Sequence, residues 1–90
     1  MNYIEEYGLI ALRSRQHAIH LNDMLKASGY PVQLMSTPRE ISVGCGLSIR
    51  FPIGLMHEIM LMYERYRYPI TGIYHIKRRG NRMEIIRIPY

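Results

Sequence analysis

Polar and apolar residues alternate with a period that changes along the chain, and each change predicts an element. Residues 7–13 (YGLIALR) are apolar almost throughout, the pattern of a strand buried on both faces. Ser14 then offers an N-cap hydroxyl, and Ala18, Leu21, Leu25 and Ser28, with Met24 beside them, share one helical face. Gly29 is placed to end that helix in a left-handed turn, and Pro31 prevents its continuation. Residues 32–36 read as a second strand. Residues 37–46 (TPREISVGCG) are punctuated by Pro38, Gly44 and Gly46 and read as a loop. Leu47, Ile49 and Phe51 alternate with Ser48 and Arg50, which predicts a strand with one buried face. Pro52 suits the first turn of a second helix, carried on by Ile53, Met56, Met60 and Tyr63. Pro69 separates that helix from a further strand over residues 70–78.

The carboxyl end carries the sharpest local signal. Gly80-Asn81 is a two-residue hairpin turn between Arg79 and Arg82. That register sets Lys77 opposite Glu84 and Ile76 opposite Ile85, pairs that contribute about 0.2–1 kcal/mol each. The expected fold class is α+β: a ferredoxin-like βαββαβ antiparallel sheet, two helices on one face and an added C-terminal strand. The whole chain, 1–90, then forms one domain, with a core over 6–76 and a C-terminal hairpin over 70–89. With a right-handed first crossover, the first and second strands run parallel and the third lies antiparallel between them. The start of the first helix and the loop before the third strand then share one end of the sheet. The Gly80-Asn81 turn falls at the other.

Ninety residues with 48% hydrophobic and 21% charged content make an ordinary globular composition, which excludes a disordered or collagen-like chain. No apolar run is long enough to cross a bilayer, so no membrane association is expected. Glu5 and Glu6 stand where a signal peptide carries basic charge, and a single cysteine cannot close an internal disulfide. The expectation is a reduced, cytoplasmic protein. The net charge of +5 lies wholly in residues 46–90, with eight Lys/Arg against three Asp/Glu, whereas residues 1–45 balance at four and four. A basic half suits an acidic partner or nucleic acid, but also serves solubility.

Cys45, between Gly44 and Gly46, is the strongest candidate for chemistry. Flanking glycines leave room for another molecule's sulfur or backbone. Placed beside the first turn of the first helix, the thiol would face free N–H groups and a positive dipole end, which lowers a cysteine pKa from about 8.5 into roughly 3.5–7.5. Ser14, Arg15 and His17 are the residues there that can tune it, and Arg39 can add charge from the loop. The competing reading is a small buried hydrophobe, a common fate of free cysteine.

Residues 38–46 (PREISVGCG) followed by 47–51 (LSIRF) resemble the Se/S carrier-like family of small proteins. Ser14, His17 and Ala18 match the turn and the His-Ala pair that open its first helix, while Arg15 stands where the family has Thr. The resemblance spans residues 6 to 76. It implies a cytoplasmic, non-enzymatic carrier that holds sulfur or selenium on Cys45 as a persulfide or selenosulfide and passes it by thiol exchange between donor and acceptor proteins. Carried over residue by residue, Gly44 and Gly46 would give access, and Arg39 and Ser42 would orient the loop.

Other constellations point less far. His17 and His20 lie three apart on a helix but lack a recognised metal-ligand spacing, so no metal or other cofactor is expected. His57 and His75 have no evident partner. The strand over 47–51 lacks the paired aromatics with which ferredoxin-like domains stack RNA bases, so nucleic acid is not the expected partner. Met56, Met60 and Met62, with Tyr63 and Tyr66, suit core packing, with a partner or homodimer contact as the alternative. Tyr66, Arg67 and Tyr68 would frame the thiol end of the sheet. The basic hairpin, Lys77 to Arg82, is expected to lie far from Cys45. The alternative function is a basic ferredoxin-like binding module for nucleic acid or an acidic protein, with a structural cysteine.

Overall fold

The computed structural model describes residues 4–41 and 46–90. Strand β1 (Ile4–Leu12) is followed by helix α1 (Arg15–Ala27), strands β2 (Gln33–Ser36) and β3 (Leu47–Pro52), a single 3-10 turn (Ile53–Leu55), helix α2 (Met56–Tyr66) and strands β4 (Ile70–Arg79) and β5 (Arg82–Ile88). The strands form one sheet in the order β2-β3-β1-β4-β5, and every neighbouring pair is antiparallel. β3 therefore lies between β1 and β2, as expected, and β5 adds to the far edge of β4. The apolar run of β1 is explained by its central place: Tyr7 and Leu9 to Leu12 are at most 3% exposed.

One face carries the larger core. Ile10, Leu12, Ile49, Phe51 and Ile73 pack there with Ala18, Leu21 and Leu25 of α1 and Ile59 of α2. Gly8 stands opposite Phe51, whose ring lies so close that a Cβ on Gly8 would meet it at 2.1 Å. The missing side chain is therefore a packing requirement. Tyr7, Leu9, Ala11, Tyr74 and Ile76 point to the other face and form a second cluster. No helix residue belongs to it. Its cover comes from Met35, Ile41, Met83 and Ile85.

Several local expectations are met in detail. The Ser14 hydroxyl accepts the His17 N–H at 3.4 Å, Gly29 adopts φ +91°, and Gly80 adopts φ +57° in the hairpin turn. Arg79 pairs with Arg82, Lys77 with Glu84 and Ile76 with Ile85.

Others are corrected. β3 is covered on both faces, because the segment after Ser36 packs over the second one: Ser48 is fully buried and its hydroxyl shares a hydrogen bond of 2.6 Å with Thr37. Pro52 does not open a helix. It keeps an extended ψ of 136° as the last residue of β3, and the chain makes the 3-10 turn before α2 begins at Met56. Ser28 caps α1 from an exposed position instead of lying on its buried face. Ile59 is the only fully buried residue of α2, and its methionines and tyrosines pack half-buried around the core margin. No helix among the described residues is long and apolar enough to cross a membrane.

Candidate functional site

Ser42, Gly44 and Cys45 lie outside the described residues, and the site is built from what brackets them. Thr37 donates its backbone N–H to the carbonyl of Gly46 at 2.7 Å, so the chain leaves and returns to the sheet at one point. The Thr37–Ser48 hydroxyl pair lies directly beneath. Gly46 adopts φ +75°, in the left-handed region that disfavours a side chain, and a Cβ there would meet nothing within 4 Å. Its glycine is thus required by backbone conformation as the chain turns into β3. Space is not the constraint.

The described part of the connection, residues 37–41, runs across the sheet face that lacks helices. A turn closes between Ile41 N–H and the Pro38 carbonyl at 2.9 Å, and Ile41 packs on the second cluster. Arg39 is exposed and lines a groove of about 500 Å³ with Glu40, Tyr7, Arg50, Arg78 and Met83. Within it the Arg50 guanidinium lies 4.1 Å from the centre of the Tyr7 ring and pairs with Glu5 at 3.3 Å. Burial pushes the Tyr7 phenol above its ordinary value of 10.0, an effect that Arg50 opposes and Glu5 reinforces.

The first turn of α1 lies at the same end of the sheet as the Thr37–Gly46 junction, because β1 ends where β3 begins. There the His17 ring stacks on Tyr68 at 4.9 Å, and the Tyr68 hydroxyl hydrogen bonds to Nδ1 of His20. Tyr66 stacks in turn on Tyr68. His17 Nδ1 is buried without a hydrogen-bond partner among the described residues. Arg15 is exposed, and the Ser14 hydroxyl is engaged in its cap. The two histidines are thus organised around Tyr68, and no group of three metal-ligating side chains occurs among the described residues.

Two placements differ from expectation. His75 has a partner: its Nε2 meets Glu6 at 2.5 Å across the β1–β4 pair, with Lys77 at 4.0 Å from the same carboxylate. The hairpin is not wholly remote from the connection either. Its tip is at the far end of the sheet, but Arg78 and Met83 line the same groove as Arg39 and Glu40. Sequence reasoning missed this because the 37–41 segment folds back over the sheet, and nothing in its composition sets that direction.

An α+β domain whose second sheet face is closed without a helix, and is crossed by the segment that leads to a single cysteine, is the class of protein these features define. Residues 7–75 match the family described as "Putative Se/S carrier protein-like", and the chain belongs to it. Searches of the curated proteins and of the solved structures returned no match.

Proposed function

We propose that the chain is a non-enzymatic carrier of sulfur or selenium, with Cys45 as the carrier atom, on a ferredoxin-like scaffold extended by β5. The family match over residues 7–75 carries the reading, since it takes in the whole 37–46 connection. The hydrogen-bonded base at Thr37 and Gly46 supports it by holding the ends of the cysteine-bearing segment at a fixed point of the sheet. In the transfer step the Cys45 thiolate attacks the outer sulfur of a donor persulfide. A sulfur–sulfur bond forms to Cys45 as the donor's own breaks, and the donor leaves as its thiolate. One sulfur–sulfur bond replaces another and the outer sulfur moves with its proton from one thiolate to the other, so there is no net oxidation. The reverse reaction with an acceptor thiolate unloads the carrier, and a selenium atom in the outer position follows the same course.

Intact mass after incubation with inorganic polysulfide tests this. The expected result is a gain of one sulfur atom, reversed by a thiol reductant and absent in Cys45→Ser. Absence of an adduct on the native chain would favour the alternative of a basic binding module with a structural cysteine.

A further inference from the structure

The two edges of the sheet are guarded differently. An edge strand leaves the N–H and C=O of every second residue unpaired, and proteins blunt such edges with short strands, prolines or bulges. β2 has two of these defences: it is four residues long and is bracketed by Pro31 and Pro38. β5 has none of them over its seven residues, which keep an unbroken register with β4 from Arg82 to Ile88. The two-residue turn makes Arg79 and Arg82 a hydrogen-bonded pair, so Arg82, Glu84, Ile86 and Ile88 bond to β4. Met83, Ile85 and Arg87 then point their backbone groups outward. Among the described residues, no backbone hydrogen bond outside the β4–β5 ladder involves residues 82–88. Ile86, within the same strand, is 39% exposed.

We propose that β5 pairs with β5 of a second copy of this chain, antiparallel about a two-fold axis at Ile85, so that the two sheets become one. In that register the strand is complementary to itself. All seven residues overlap, and the outward groups of Met83, Ile85 and Arg87 meet those of Arg87, Ile85 and Met83 in the second copy, with two hydrogen bonds for each facing pair. Arg82 faces Ile88 and Glu84 faces Ile86, so no like charges stand opposite each other. Ile85 meets its own copy and extends the cluster that it already covers with Met83, and the exposed Ile86 gains a neighbour. Neighbouring registers are poorer. An axis at Glu84 sets that carboxylate against itself, and an axis at Ile86 sets Met83 opposite Pro89, which has no N–H to give. A two-fold axis perpendicular to the sheet keeps both second faces, each crossed by its 37–41 segment, on the same side of the dimer.

Sedimentation velocity of the full chain, from about 1 µM to about 1 mM, tests the proposal, since small interfaces dissociate in that range. A reducing buffer keeps a Cys45 disulfide from mimicking the dimer. The chain is expected to pass from monomer to dimer across the series. Ile86→Glu sets like charges opposite Glu84 twice in the interface, whereas Ile86→Lys sets opposite charges there. The lysine variant should therefore dimerise at least about fivefold more tightly than the glutamate variant. An apolar patch without a fixed register would weaken equally in both. Arg87→Pro removes an outward N–H at an edge, where proline is tolerated, so it should weaken the dimer at least about tenfold with the urea midpoint nearly unchanged. Should that variant fail to fold, the two Ile86 variants decide alone. Amide exchange supplies the readout by residue: Met83, Ile85 and Arg87 should slow as the dimer forms. A chain that stays monomeric throughout, equal dimerisation by Ile86→Glu and Ile86→Lys, or slowed exchange confined to α2 would each overturn the proposal.

Discussion

On one side of the sheet two helices cover Ile10, Leu12, Ile49, Phe51 and Ile73; on the other, half-buried side chains of a connecting segment and of both edge strands cover Tyr7, Leu9, Ala11, Tyr74 and Ile76. The helix face is a self-sufficient core whose parts recur at helical and strand spacings. The second face is thinner and mixes apolar contacts with a hydroxyl pair, a cation over a ring and a carboxylate. Its cover includes Ile41, in the segment that leads to Cys45. The difference teaches that stability and site geometry are separable on the first face and coupled on the second.

The comparison is broken most directly at Phe51. Phe51→Ala removes the ring that fills the space over Gly8 and should cost about 3–5 kcal/mol in urea denaturation, the largest effect expected of a single change here. Where the variant still folds, its polysulfide uptake should match the native chain. Altered uptake would show that the helix face also governs the site.

A smaller effect is expected at the base of the connection. Thr37→Val leaves the buried Ser48 hydroxyl without its partner, a loss of about 1–3 kcal/mol. Adding Ser48→Ala removes the orphaned group, so the double variant should be less destabilised than the sum by about 0.5 kcal/mol or more. Strict additivity would mean that the 2.6 Å contact contributes nothing.

The smallest effect concerns Tyr7. Because burial raises its phenol above 10.0, the folded state holds that proton more tightly than the unfolded state. The associated stability is fully present below about pH 10 and is lost as pH rises through the higher folded value. Tyr7→Phe should flatten the alkaline decline of the urea midpoint. A decline as steep as that of the native chain would place the alkaline sensitivity elsewhere, such as Tyr63, whose phenol burial also raises.

The parts legible in the sequence are those set by near neighbours in the chain. The Gly80-Asn81 hairpin and its register follow from turn chemistry, the Ser14 cap and the Gly29 stop follow from helix-end chemistry, and β1 follows from an apolar run too short for anything else. The burial of Ser48 is not legible because alternation with Leu47 and Ile49 reads as exposure, whereas its hydroxyl is met by Thr37 of the preceding connection. The onset of α2 is not legible at Pro52, which fits a helix start and a strand end equally well. The Glu6–His75 pair, 69 residues apart, has no local signal at all.

The sequence by itself determined the elements, their order, the hairpin register and the family resemblance, because each depends on residues within a few positions of one another. Only the tertiary structure decided which face the 37–41 segment crosses and that Arg39 shares a groove with Arg78. It also decided that the second sheet face is closed without a helix. Those outcomes depend on which distant surfaces exclude water together, and no short-range pattern encodes that.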